Sequence, residues 1–539
     1  MTPAPRLSAT GRPGLVLDVD RSPPPVVFHH GEGFRLEKLP AGRTRVLYPA
    51  EPLAAIEDPD AAIVDALLHP LDSDPLPALL RPGMKLTICF DDISLPLPPM
   101  RRPDLRQRII EAVLDLAAAA GVEDVHLIAA LALHRRMTEA ELRHALCDRV
   151  YDAFAPSGAL YNHDAEDPDN LAFLGTTDQG EEVEINKRAA ESDLVVSVNI
   201  HIVAMDGGHQ STATGLASYR SLRHHHNVAT MQNSRSFMDR HRSELHSSNW
   251  RMGDVLRSAG VKIFQVETTI NNDTFGDTGP LSVLQKREWE WSARDRASFL
   301  ALQAGLKRLP SGAKRRIFQS WEAPYGLTSV QAGDVDAVHE VTTANVFRQH
   351  LVPVEGQTDI LTMGLPYICP YNVNSVMNPI LVMCLGLGYF FNLYRGRPPV
   401  REGGVLIMSH PTPWEFHPVH HPSYIDFFEQ VLSETTDPVE IEARYEKDFA
   451  EDEWYRHLYR TSYAYHGVHP FYMWYWGAHA LQHLGSVIIV GGKPRSVRRL
   501  GFKPATTLND ALEMAADVVG PAGTITHLHN PPILMADVT

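Results

Sequence analysis

Residues 85–98 read KLTICF followed by DDISLPLP, and the meaning of this stretch decides the rest. The first six residues, dominated by apolar and β-branched side chains, predict a buried strand. The strand stops at Asp91 and Asp92, and Pro96 and Pro98 stiffen the turn that follows. Next comes an amphipathic helix over Asp104–Ala120, a second buried strand over Val125–Leu133, a helix from Glu139 to Leu146, and a third strand over Leu194–Asn199. Strands alternating with helices make βαβ units and a largely parallel sheet. In such sheets ligands gather at the carboxyl ends of the strands, which draws attention to the polar loops after each strand.

Upstream, residues 1–14 read as a flexible tail, Leu15–Pro49 as short strands and turns, and Ala61–Leu68 as a helix. Downstream, residues 277–335 are charged, contain Trp and read as a helical insertion ending in WEAPYGL. The pattern restarts near Pro353–Gln357 with ILTMGLP, a long apolar helix and the strand Gly404–Ser409. A stretch rich in Trp, Tyr and His over 411–480 follows, then the strand VIIVGG and a helix over Leu508–Val518. The expected architecture is two α/β domains with mainly parallel sheets, 15–345 and 350–539, and an active-site cleft between them.

Composition narrows the function. The 539 residues hold 49 Lys and Arg against 65 Asp and Glu, a net charge of −16. That balance argues against broad binding to nucleic acid or to an anionic membrane, and points to a small-molecule substrate, with homo-oligomerisation left open. Cys89, Cys147, Cys369 and Cys384 form no CxxC pair, so buried reduced thiols are expected rather than a cysteine-built zinc site. The N-terminal residues lack the apolar core of a signal peptide. The most apolar stretch, Pro379–Leu393, falls short of the ~20 residues of a membrane span and reads as a buried helix. A cytoplasmic protein is the expectation.

Four polar clusters could carry chemistry. Asp92 and Ser94 could fix a substrate hydroxyl or a ribose, or simply cap the turn. In His134-Arg135-Arg136-Met137-Thr138, Thr138 and Glu141 have the spacing of a capping box, which leaves His134 and Arg135 at a strand end. A histidine there can serve as a general base near neutral pH, though a lone one is more often structural. His201 follows the third strand, and Gly207-Gly208 allows close backbone approach to a ligand. In Arg223-His224-His225-His226, adjacent side chains fan outward, so one or two at most could share an ion.

In order and spacing these loops resemble the nickel-pincer lactate racemase family. The ordered set is Asp92 with Pro98, His134-Arg135-x-Met137-Thr138, His163-Asp164, Asp193 ahead of the strand to His201, Gly207-Gly208, and His226. The segments Asn249–Asn271 and Gly364–Ser409 are also similar. The resemblance implies a racemase or epimerase of a 2-hydroxy acid or related hydroxy compound, working by hydride transfer through a nickel ion held by a pincer nucleotide. His134 and His201 would be the acid/base pair and His226 the metal ligand. Asp92 and Arg135 would bind substrate, and Asp92, Ser94, Gly207, Gly208 and Gln210 the cofactor. The family's anchoring lysine has no counterpart in Gly208-His209-Gln210-Ser211, implying a cofactor held without a covalent link, and Leu95 replaces the family's substrate-binding arginine. Two other readings stand beside this one. Either another divalent metal is held by His209 and the 224–226 run, or the chain binds a metabolite with no cofactor.

Overall fold

The computed structural model describes residues 15–20 and 24–539, so the expected N-terminal tail lies outside the described residues. Four short strands open the chain: β1 (Val16–Asp18), β2 (Val26–Gly31), β3 (Phe34–Glu37) and β4 (Thr44–Leu47). Then come β5 (Lys85–Asp91), β6 (Asp124–Ala130), β7 (Leu160–Asn162), the hairpin β8 (Leu171–Thr176) with β9 (Glu182–Asn186), β10 (Leu194–His201), β11 (Ile263–Ile270) and β12 (Leu327–Gly333).

Six of these build the first sheet in the order β12-β11-β10-β5-β6-β7. Every neighbouring pair is parallel except β11 with β12. The helix Leu105–Ala119 is the crossover that returns the chain from β5 to β6. Asp104 caps its first turn, and Ile109, Ile110, Val113 and Ala117 are buried along one face, the spacing that seats a helix on a sheet. The next helix, Glu139–Phe154, opens with the expected capping box: Glu141 N–H donates to Thr138 Oγ1 at 3.3 Å, and Thr138 N–H to Glu141 Oε2 at 2.8 Å. It runs eight residues past the expected end because Val150 and its neighbours continue the buried stripe.

The second half adds β13 (Leu351–Val354), β14 (Thr358–Pro366), β15 (Tyr394–Gly396), β16 (Val400–Ser409), β17 (Ser486–Val490), β18 (Lys503–Ala505), β19 (Ile525–Leu528) and β20 (Met535–Val538). Its main sheet runs β1-β4-β19-β14-β16-β17-β18, with β2 also paired to β14. Two expected boundaries are therefore corrected. Residues 15–47 build the second sheet rather than the first domain, because β4 pairs in parallel with β19 and β2 with β14. The insertion after 277 ends before Leu327, since β12 pairs with β11 and belongs to the first sheet. Within the insertion lie the helices Ala293–Arg308 and Ser311–Gln319.

Residues 379–390 form the expected buried helix, α-helical at first and π-helical from Cys384. It packs so closely that a Cβ on Gly388 would lie 2.8 Å from Trp476 Cβ. The aromatic stretch 411–480 is helical and mostly core: Phe471, Trp474 and Tyr475 are fully buried. No described helix is long and apolar enough to cross a membrane. The four cysteines are free thiols, and Cys89, Cys369 and Cys384 are buried.

Candidate active site

A cavity of about 230 Å³ lies where loops from both sheets converge. The loops after β5, β6 and β10 supply Asp92, Ser94, His134, Asp206 and Gly207, and the loop after β14 supplies Tyr371. Tyr389 and Trp476, from the buried helix and the aromatic stretch, complete the wall. The strand-end rule thus holds in both halves. Among the described residues, no Lys or Arg lines the wall.

His134 and Asp92 form the most organised pair. His134 Nδ1 sits 2.8 Å from Asp92 Oδ2, and the other carboxylate oxygen accepts the Ser94 backbone N–H at 2.9 Å and the Ser94 hydroxyl. Burial alone would raise the Asp92 pKa, but the imidazole and the two Ser94 donors override it and hold it below the usual carboxylate range. An ionised Asp92 places the proton on Nδ1 and leaves Nε2 free. The turn itself is clamped by Arg106, whose Nη1 donates to the carbonyls of Asp91, Asp92 and Leu95 at 3.0, 2.6 and 3.1 Å. Asp104 in turn binds the Arg106 guanidinium through both oxygens. Sequence reasoning missed this arginine, which lies in a helix and signals nothing by its spacing.

Asp206, just ahead of the Gly207-Gly208 pair, was not singled out by sequence either. It is buried at the cavity wall and accepts from Val203 N at 3.3 Å. Burial, reinforced by the neighbouring Asp91, raises its pKa to about 8. Asp91, also on the wall, is raised to about 7, chiefly by burial, although Ile200 N–H and Asn199 Nδ2 donate to it at 2.8 and 2.6 Å. Tyr371 and Tyr389, whose hydroxyls are 2.6 Å apart, were missed too. Tyr371 lies five residues beyond β14, where the strand-end rule alone could have found it.

His226 lines the same cavity. Its Nδ1 is 3.0 Å from Nδ1 of His225, and its ring packs edge-on to Trp476. Burial lowers its pKa to about 3, so it is a neutral ring able to offer a lone pair. Its environment is aromatic core, not the solvated basic surface that such a run usually makes. Ser94, Gly207 and Gln210 line the cavity as expected, whereas Gly208 faces away and donates its N–H to Glu267 at 2.7 Å.

Three expected residues stand elsewhere. His201 does not line the cavity: it lies behind the Gly207 turn, 1% exposed, with Nε2 3.5 Å from Glu267 Oε2. Proximity to a strand end put it near the site, but its side chain enters the protein interior. Arg135 is buried and turned away from the cavity, binding both oxygens of Glu141 at 3.0 and 2.7 Å and the carbonyl of Val373 at 3.1 Å. It ties the two halves together instead of meeting substrate. His209 binds Asp336 at 3.0 Å and packs on Trp250, while His226 packs on Tyr472 and Trp476, so a shared metal site is not assembled. His421, His527 and His529 engage Tyr371 O, Thr362 and Glu288 and are absent from the wall. His163 binds the Ala217 carbonyl, and Asp193 accepts from Lys85 N.

Residues 30–239 match the lactate racemase N-terminal domain. The lactate racemase of Lactiplantibacillus plantarum is 27% identical over 166 residues, 30% of this chain and 37% of that protein. That of Thermoanaerobacterium thermosaccharolyticum is 25% identical over 170 residues, 30% of this chain and 36% of that protein. The aligned segment thus spans little more than a third of either lactate racemase. The solved lactate racemase apoprotein from T. thermosaccharolyticum superposes with a TM-score of 0.61 and 17% identity, covering 95% of this chain and 99% of that one. The lactate racemase fold therefore extends through both halves, although recognisable sequence similarity is confined to part of the chain.

Proposed function

We propose that the protein is a racemase or epimerase acting at the carbinol carbon of a hydroxy compound, with His134 moving the hydroxyl proton. The observation that carries this reading is the Asp92–His134 pair at the cavity wall, with Nδ1 committed to the carboxylate and Nε2 left for substrate. The match to the lactate racemase domain over the residues that hold this pair supports the same reaction class. With Leu95 on the wall and no Lys or Arg among its described residues, a guanidinium for a carboxylate is missing. Such a charge-assisted bond contributes about 1.5–3 kcal/mol, so the preferred substrate is larger or less acidic than lactate.

The resemblance also brings a nickel–pincer nucleotide, which when bound accepts hydride from the carbinol carbon and returns it. The residues fit a form held without a covalent link. His226 would hold the metal as a neutral ring; Ser94, Gly207 and Gln210 would lie against the nucleotide; among the described residues no lysine lines the wall to anchor it. His134 takes the hydroxyl proton as the carbonyl forms and gives it back afterwards. On the loop after β10, Asp206 holds a proton at neutral pH and is the second group able to exchange one with substrate, the part first expected of His201. The aromatic wall excludes water from the carbonyl.

The test is to purify the protein from cells that make the pincer nucleotide, quantify nickel and nucleotide by intact mass, and offer single-enantiomer hydroxy compounds. Chiral chromatography should reveal the opposite enantiomer, and His134→Ala should lower turnover by about 10²–10⁴-fold. Undiminished turnover in that variant would sink the proposal.

A further inference from the structure

Behind the cavity, three side chains outside its wall converge on one another. Glu267 on β11, His201 at the end of β10, and His339 on the helix Val335–His350 are all essentially inaccessible to solvent. One ligand atom from each lies within 4.8 Å of the others.

Proton accounting shows what the cluster lacks. His201 Nδ1 is 3.2 Å from the carbonyl oxygen of Thr268, which only accepts, so Nδ1 carries the hydrogen. His201 Nε2 then presents a lone pair, has no hydrogen-bond partner, and faces Glu267 Oε2 at 3.5 Å. His339 Nδ1 lies 3.3 and 3.4 Å from the two oxygens of Glu267, while its Nε2 is 3.5 Å from Thr343 Oγ1. Glu267 Oε1 is satisfied by Gly208 N–H at 2.7 Å and Gln265 Nε2 at 3.0 Å, which leaves Oε2 only the long contact to His339 Nδ1 at 3.4 Å. Two imidazoles oriented from behind and a carboxylate held by its other oxygen are the outer-shell arrangement of a metal site. Gly207 fits this reading as well. A Cβ there would come within 1.9 Å of His201 Nε2 and 2.6 Å of Glu267 Oε1, so the turn has no room for a side chain against the cluster.

We propose that His201, Glu267 and His339 bind a first-row divalent transition ion, with zinc as the probe, at a site separate from the cavity. Two imidazole nitrogens and a carboxylate oxygen suit zinc, with one position left for water, whereas calcium and magnesium prefer oxygen donors throughout. A closed, buried site of this kind stabilises the fold by joining β10, β11 and the helix. The proposal does not depend on the racemase reading or on His226.

The full-length protein, stripped with chelator and incubated with zinc chloride, should retain about one zinc per chain through gel filtration, measured by mass spectrometry. Zinc should also raise the Tm of the wild type. Glu267→Gln and His339→Gln should each weaken zinc binding by at least ~10-fold and abolish the Tm shift. His226→Ala should bind zinc like the wild type, which keeps this site distinct from a metal in the cavity. Failure of the stripped wild type to take up zinc while its circular dichroism stays native would overturn the proposal and leave a metal-free imidazolium–carboxylate cluster. Wild-type affinity in both Glu267→Gln and His339→Gln, or loss of all zinc in His226→Ala, would overturn it equally.

Discussion

Asp92 divides its two oxygens between Ser94 and His134, so its charge and its geometry can be separated by substitution. Asp92→Asn keeps the shape but no longer dictates which ring nitrogen of His134 carries the proton. Turnover should fall by about 10²–10⁴-fold with substrate affinity little changed, read from kcat and KM measured separately. Asp206 makes a prediction of the opposite kind. Its folded pKa, about 8, stands above the ordinary value of 3.8, so the unfolded chain releases the proton first. The stability it contributes is complete below pH 3.8 and is lost as pH rises toward 8. Asp206→Asn should flatten the decline of Tm over that window and be the more stable protein at pH 8, while losing turnover. A Tm profile parallel to the wild type would contradict the raised pKa. Residue by residue, the strand-end rule found part of the site. Asp92 and His134 could be read because polar residues after buried strands have few other reasons to be there, whereas His226, far from any strand end, was reached only through the resemblance. His201 and Arg135 could not, because position along a strand says nothing of what waits in the interior. Glu267 and Glu141, more than 65 and only six residues away respectively, captured them.

At the scale of the element, the helix Glu139–Phe154 depends on its first turn. Thr138→Ala removes the side-chain half of the capping box and should cost about 1 kcal/mol in urea denaturation. The same turn holds Arg135 and, through Glu141 and Asn374 at 2.7 Å, reaches the second half. The buried helix at 379–390 is more sensitive to volume. Gly388→Ala pushes a methyl group toward Trp476, and overpacking of this kind costs about 1–3 kcal/mol. Because Trp476 is also cavity wall, the variant should show altered KM along with lowered Tm. Elements with a single strong period, such as KLTICF and the helix after Asp104, were readable from the residues. The π-helical turn was not, since its apolar composition fits any buried helix.

Over the whole molecule, alternating strands and helices announced parallel sheets, but which sheet each strand would join was invisible. Strands of four residues, such as β4, carry too little pattern to name a partner; the partner proved to be β19, with Thr44 beside Ile525. A fragment spanning 350–539 alone would therefore expose the edges of β19 and β14 and should fail to unfold cooperatively, whereas the intact chain should show a cooperative transition by calorimetry. The crossing of β4 to β19 also orders events during synthesis. β4 is made far ahead of β19, so the earlier strand emerges long before its mate exists. The six-stranded sheet, whose members are all made by residue 333, is free to form while translation continues. The other sheet must wait until β19 has emerged, and throughout that interval the residues around 44–47 need shelter from strangers.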